Sequence, residues 1–388
     1  MLAIYTDQPP TYDDILHLFP IVFRRRPGHR EFTLERSAVV GWRSGRSDGP
    51  GGHGRSVDSM TESTTTVPRV EIPGTDLKVA PVSLGGNTFG WTSDADESFA
   101  VLDAFLAGGG SVIDTADMYS QWAEGHSGGE SETVLGQWLA DRGTRQDVVL
   151  VTKVGAIQDA PGLAHDTVLA NLERSLQRLQ TDHVDIYYYH YDDESVSIAD
   201  QVKTAAELID SGKVRYLGLS NYTPDRIREF YETARELELD RAIPLAVQPQ
   251  YSLLARSDYE EGYGLVAEEY GVGVFSYFSL ASGLLTGKYA SREDIAGAAR
   301  EGMAAGYFGD DSADAPDPFA VVEAVREVAE EHDVEPASVA LAWLIAKGVT
   351  APIASARTVE QVAPLLAATT LQLSDENISR LDSASTGF

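Results

Sequence analysis

The sequence predicts a single (β/α)8 barrel, and three observations carry that prediction. Short apolar runs alternate with amphipathic stretches through roughly 300 residues, the pattern of strands linked by crossover helices. Successive apolar runs end abruptly on polar residues of chemical interest, as barrel strands do at their C-terminal rim. A doubly wound sheet would want a glycine-rich fingerprint after its first strand, and the nearest match, Gly262-Tyr263-Gly264, follows Tyr259-Glu260-Glu261 instead.

Taken in order, the stretches 70–72 and 77–79 flank the turn sequence Pro73-Gly74-Thr75-Asp76 and read as an N-terminal β-hairpin. Strands are then expected at 82–84, 112–114, 148–153, 186–190, 216–220, 246–250, 272–277 and 351–354. Helices are expected between them at 95–107, 130–142, 167–179, 198–209, 224–237 and 259–270. Two extra helices, 321–331 and 337–346, fall before the eighth strand. Pro224 and Pro336 stand in helix-opening positions, and Gly212 and Gly348 follow helix ends.

The first 67 residues differ from the rest. Residues 1–59 hold eight arginines against seven acidic residues, and include Arg24-Arg25-Arg26 and a Gly/Ser/Arg-rich run over 41–56. This is linker composition. The apolar patch at 15–23 precedes the arginines, the reverse of a signal peptide. Residues 1–67 therefore read as disordered or non-native, with Met60 as the natural start, and 68–388 as the barrel.

Net charge is −30, from 60 acidic against 30 basic residues, of which only six are lysines. Scarce lysine beside abundant carboxylate reads as halophilic adaptation to a salt-rich cytoplasm. A charge of this sign argues against nucleic acid or an anionic membrane as partner. With no cysteine, disulfides, thiolate catalysis and zinc–thiolate sites are excluded. The eight histidines show no metal-ligand spacing.

Three successive strands deliver the chemistry. The second ends on Asp114 with Tyr119 five residues on, the third delivers Lys153, and the fourth delivers His190, so a carboxylate, a phenol, an ammonium and an imidazole share one rim. Singly, each has a structural reading: a helix cap, packing, a salt bridge at the barrel mouth, a core histidine. Together and in this order they read as a site.

At these residues the chain resembles the aldo-keto reductases. The resemblance runs from about residue 70 to the C-terminus and rests on DTADMY (114–119), Lys153, His190, GKVRYLGLSN (212–221), QPQY (248–251), LASGLLTGKY (280–289) and PIASARTVEQ (352–361). The long segment after Tyr277 is similar to the branch that includes bacterial aldo-keto reductases and potassium-channel β subunits. The resemblance implies a catalytic set of Asp114, Tyr119, Lys153 and His190. Hydride reduction of a carbonyl needs a proton for the developing alkoxide, and Tyr119 would donate it. A free phenol titrates near about 10, and the Lys153 ammonium would favour its phenolate while Asp114 holds Lys153 in place. His190 would polarise the carbonyl.

The implied cofactor is NADP(H). By resemblance Ser220, Asn221 and Gln248 bind the nicotinamide carboxamide and Tyr277 stacks on the ring. Phe278, Ser279, Leu280, Ala281, Ser282 and Lys288 wrap the pyrophosphate, Gly85, Gly86 and Asn87 begin the nicotinamide side with Asp114, and Ser355, Arg357 and Gln361 take the 2′-phosphate end. The chain departs from the family's usual Ser-Pro-Leu at Phe278-Ser279-Leu280, and from its usual Glu-Asn at Pro364-Leu365. A small-molecule carbonyl substrate is expected among Trp91, Trp122, Tyr119, His190 and the loops 191–197 and 291–318. Asp192-Asp193-Glu194 reads as a solvated acidic loop, and 297–318 as a mobile lid. Two functions stay open: an NADPH-dependent carbonyl reductase, and a non-catalytic NADP(H)-binding redox-sensing subunit.

Overall fold

A computed structural model describes residues 66–297, 301–308 and 316–388. The expectations for the N-terminal segment 1–67 and for Met60 fall outside the described residues, except at 66–67. The strands are β1 (Val70–Glu71), β2 (Lys78–Val79), β3 (Ser83–Gly85), β4 (Val112–Asp114), β5 (Val149–Val154), β6 (Val184–Tyr189), β7 (Val214–Ser220), β8 (Ala246–Gln248), β9 (Gly273–Val274) and β10 (Ile353–Ala354). Strands β1 and β2 form the hairpin; the other eight pair in parallel in the order β10-β3-β4-β5-β6-β7-β8-β9. The ring is closed by backbone bonds from Ile353 N–H to the Ser276 carbonyl at 2.9 Å and from Ala351 N–H to that of Val274 at 3.2 Å. The chain is a (β/α)8 barrel.

Side chains on a strand alternate between faces, and here the alternation separates two cores. Val112, Val151, Ile186, Tyr188, Ala246, Phe275 and Ile353 fill the barrel interior, where Ile72, Leu77 and Val79 of the hairpin segment join them. Ile113, Leu150, Tyr187, Tyr189, Leu217, Leu219 and Val247 instead pack outward, in one cluster with helix residues such as Leu102, Trp138 and Leu172. Helices Glu130–Arg142 and His165–Leu179 cross so closely that a Cβ at Gly136 would overlap the Arg178 carbonyl. Helix caps form where the chemistry allows. Asp94 and Glu97 make a reciprocal capping box, and Thr223 caps the helix that opens on Pro224.

Some boundaries differ for physical reasons. The strand expected at 246–250 stops at Gln248, because Pro249 has no N–H to continue a ladder. The helix expected at 259–270 is a π-turn over Tyr259–Tyr263 followed by α-helix Gly264–Tyr270, with two glycines at the transition. In the stretch read as a lid, Glu301–Ala305 is helical and Phe308 packs on Phe319 with ring centroids 5.4 Å apart; 298–300 and 309–315 lie outside the described residues.

The hairpin is fastened by charge as well as by packing. Asp185, on β6 with its side chain 4% exposed, bonds Arg145 at 2.9 Å and Arg215 at 2.6 Å. Arg215 also reaches Asp76 in the hairpin turn at 2.7 Å, and the Tyr216 hydroxyl donates to Asp76 at 2.8 Å. Removing the central carboxylate would take a buried acceptor from two guanidinium groups at once, leaving Arg215 with Asp76 and Arg145 with the Thr181, Val148 and His183 oxygens. Asp185→Ala is therefore expected to lower stability by about 1.5–3 kcal/mol, the loss of charge-assisted hydrogen bonds, measured by chemical denaturation; a loss under about 1 kcal/mol would show the clasp to be a screened surface network.

Candidate active site

The site follows from the same alternation. Val112 and Val151 point into the barrel, so two residues on, at the strand ends, Asp114 and Lys153 point inward as well. Gln248 stands in the same relation to Ala246, and His190 to Tyr188. Four polar side chains thus meet at the C-terminal rim, above an apolar floor.

Lys153 is fully buried, and its Nζ donates to Asp114 Oδ2 at 2.6 Å, to the Tyr119 hydroxyl at 2.8 Å and to the Thr115 carbonyl at 2.9 Å. All three ammonium donors are therefore used. The Tyr119 hydroxyl also lies 3.2 Å from Asp114 Oδ2, and the Gln248 amide nitrogen donates to Asp114 Oδ1 at 2.9 Å. Burial draws the Lys153 pKa below its ordinary value, and the Asp114 carboxylate opposes that shift. His190 is held well below the usual imidazole range, by burial first and by the Lys153 charge second. That shift favours the neutral ring, and its Nδ1 is buried without a hydrogen bond. The ring stacks on Tyr191 at 4.9 Å and stands edge-on to Tyr119 at 6.3 Å.

Behind Lys153 lies a second buried polar layer that the sequence did not reveal. Thr152, on the outer face of β5, donates to Glu132 at 2.6 Å, and Arg178 donates to the same carboxylate at 2.7 Å. Asp117, in the turn between Asp114 and Tyr119, is fully buried beside this pair. Its backbone N–H is tied to the Lys153 carbonyl at 3.2 Å, but neither carboxylate oxygen has a well-formed hydrogen bond. Burial raises the Asp117 pKa well above the carboxylate range and the Glu132 charge adds to this, while Arg178 and the Met118 and Gly155 amides offset part of it.

A carboxyl whose folded pKa is raised supports the fold fully below its unfolded pKa and loses that support as pH rises towards the folded value. Asp117→Asn keeps the shape without the ionisable proton. Its stability relative to wild type should therefore improve by about 1.4 kcal/mol per pH unit across that window. Melting curves from acid to alkaline pH test this, and a difference independent of pH would contradict it.

On the other side of the rim, Ser220 donates to the Gln248 carbonyl at 2.8 Å. The Asn221 side chain donates to the His190 carbonyl at 2.8 Å and accepts from the Tyr277 hydroxyl at 2.9 Å. Next comes a segment of unusual backbone, in which Phe278, Ala281, Ser282 and Gly283 all have positive φ. Ser279 folds back on the Ser276 carbonyl at 2.9 Å, Leu280 packs on the core, and the Ser282 hydroxyl is buried without a partner. Lys288 lies against this turn, its Nζ 2.9 Å from where a Gly283 Cβ would stand. At the β3 and β10 ends, Gly86 N–H donates to the Asp114 carbonyl at 2.7 Å and Ser355 to Asn87 at 2.6 Å, while a Cβ on Gly85 would crowd Ser355 Oγ at 2.7 Å. Arg357 is exposed, with its backbone N–H on Gln361 at 2.8 Å. Trp91 and Trp122 meet edge to face at 5.5 Å, and Trp122 meets Tyr119 at 6.0 Å.

One expectation is corrected. The acidic loop is not simply solvated. Asp192 binds Arg226 at 2.6 and 3.0 Å, and Asp193 accepts from the amides of Leu163 at 2.8 Å and Ser195 at 3.0 Å. Among the described residues no group of acidic and histidine side chains is placed to hold a metal ion, and no helix is long and apolar enough to cross a membrane.

Residues 81–386 match the model of the Aldo/keto reductase family. Similar known proteins include Protein tas of Escherichia coli K12, 30% identical over 339 residues that cover 80% of this chain and 95% of that one. The uncharacterized oxidoreductase YrpG of Bacillus subtilis is 33% identical over 321 residues, covering 79% and 93%. A probable voltage-gated potassium channel subunit beta of Oryza sativa is 34% identical over 219 residues, covering 55% and 64%.

Proposed function

The chain belongs to the aldo/keto reductase family, and on that premise we propose that it reduces an aldehyde or ketone with NADPH, Tyr119 giving the proton. The observation that carries this reading is the Lys153 ammonium bonded at once to the Tyr119 hydroxyl and to Asp114. In that arrangement Lys153 stabilises the phenolate left when the proton departs, and Asp114 keeps the ammonium from swinging away. A neutral His190 can donate one ring N–H to the carbonyl oxygen, orienting it without placing a second full positive charge beside Lys153. The nicotinamide, when bound, supplies the hydride.

The residues present fit such a cofactor. Gly283 leaves room that a side chain would fill, and the unpartnered Ser282 hydroxyl lies in the same turn. A turn of consecutive positive and negative φ can present backbone N–H groups to phosphate oxygens. Lys288 and Arg357 make no ion pair with a described residue, in a chain that holds two acidic residues for every basic one. Two cations left without carboxylates in so acidic a protein suit the pyrophosphate and the 2′-phosphate.

That assignment is testable through cofactor preference. A charge-assisted contact to phosphate is worth roughly 1.5–3 kcal/mol, so Arg357→Ala should weaken NADPH binding about ten- to hundredfold and leave NADH nearly unchanged. Equal losses for both cofactors, or none, would remove Arg357 from the 2′-phosphate site. The function itself is tested by following NADPH absorbance over a broad carbonyl panel. A second reading, a non-catalytic NADP(H)-binding redox sensor, draws on the similarity to the potassium channel subunit beta; NADPH binding without turnover on any carbonyl would favour it.

A further inference from the structure

The backbone of His190 is pinned by hydrogen bonds, but its ring is not. The backbone N–H donates to the Val154 carbonyl at 2.9 Å, and the carbonyl accepts from the Asn221 amide at 2.8 Å. A working imidazole is commonly oriented by a hydrogen bond to its second nitrogen, whereas Nδ1 of His190 is buried without one. Ring contacts take over that task. Tyr191 stacks on the imidazole with centroids 4.9 Å apart and planes at 24°, and Tyr119 meets it edge-on. The orientation of His190 therefore depends on where the loop that follows it puts Tyr191.

That loop is clasped from two helices. On helix Ile198–Asp210, the fully buried Gln201 donates from Nε2 to the carbonyls of Asp193 and Val196, both at 3.1 Å. Its Oε1 accepts from the Tyr222 hydroxyl at 2.6 Å. On helix Pro224–Glu236, Arg226 grips Asp192 with two bonds, Nε to Oδ2 at 2.6 Å and Nη2 to Oδ1 at 3.0 Å. Such a fork fixes direction as well as distance. Arg226 lies in the first turn of its helix, just after the Thr223 cap, where the helix dipole disfavours a cation. The Asp192 carboxylate, 12% exposed and directly after Tyr191, offsets that cost.

We propose that Arg226 is a positioning residue: through its fork on Asp192 it fixes the loop that stacks Tyr191 on His190, and so aims the imidazole at the substrate carbonyl. This rests on the carbonyl-reduction reading above.

A double-mutant cycle on the full chain tests it through kcat/KM for carbonyl reduction. Arg226→Gln loses the charge and the fork, and should lower kcat/KM about ten- to hundredfold, the cost of a misplaced catalytic group, with NADPH affinity unchanged. In a His190→Ala background the same substitution should add little, because effects that pass through one group do not multiply. Arg226→Lys keeps the charge without the fork and should recover only part of the loss. Asp192→Asn should repeat the pattern from the other side of the fork, and it decides if Arg226→Gln fails to fold. A merely structural ion pair would cost the same factor with or without His190. That result, or wild-type rates in Arg226→Gln or in the deciding variant, overturns the proposal. NMR of the chain labelled at histidine Cε1 reads the ring without turnover. The His190 signal, identified by its absence in His190→Ala, should be single and sharp in wild type and broadened or doubled in Arg226→Gln; an unchanged signal overturns the proposal. A wild type that reduces no carbonyl overturns the reaction instead, and the ring signal then decides the role of Arg226.

Discussion

Tyr119→Phe is expected to lower kcat for carbonyl reduction by about 10²–10⁴-fold, the usual contribution of a positioned general acid. The substitution removes a single hydroxyl that contacts Lys153 at 2.8 Å and Asp114 at 3.2 Å. The ring and its edge contacts with Trp122 and His190 remain. Packing and cofactor affinity should therefore survive, while the alkoxide would have to take its proton from water. Steady-state rates beside NADPH titration separate the two. A variant that keeps most of the wild-type rate would show that Tyr119 is not the donor.

Lys153→Met is expected to cost at least as much, by a different route. The ammonium bonds Asp114 at 2.6 Å and the Tyr119 hydroxyl at 2.8 Å, and it is fully buried. Its loss leaves the Asp114 carboxylate with the Gln248 amide and the phenol as remaining donors. A fall in stability of several kcal/mol would accompany the catalytic loss, since removing one partner of a buried pair strands the other. Rates must be read below the melting transition of the variant. Combining it with Tyr119→Phe should lower kcat little further, because the two groups act as one unit. Multiplying losses would mean that they act independently.

Much of this arrangement was legible in the sequence because strand periodicity is local. Once 112–114 and 148–153 read as buried strands, alternation alone aims Asp114 and Lys153 into one barrel. The joining of Tyr119 to them needed only the short turn that follows. What stayed hidden depends on contacts between distant segments. The bond from Gln248 to Asp114 spans 134 positions, and no local pattern announces it. Asp192 reads as solvated until Arg226, 34 residues on, arrives beside it. Asp117 sits inside the DTADMY motif, yet its burial is set by helices Glu130–Arg142 and His165–Leu179 packing over it, as Glu132 and Arg178 show. The early end of β8 could have been read from Pro249, whose missing N–H breaks the ladder.

The proposed reaction is hydride transfer from the nicotinamide to a carbonyl carbon at this rim. The most direct measurement uses NADPH deuterated at both C4 positions, with the product alcohol analysed by NMR. Deuterium is expected on the carbinol carbon and a solvent proton on the hydroxyl, with product formation slowed by about 10²–10⁴-fold in Tyr119→Phe. Product whose carbinol hydrogen comes from water, or NADPH bound without any carbonyl reduced, would contradict it.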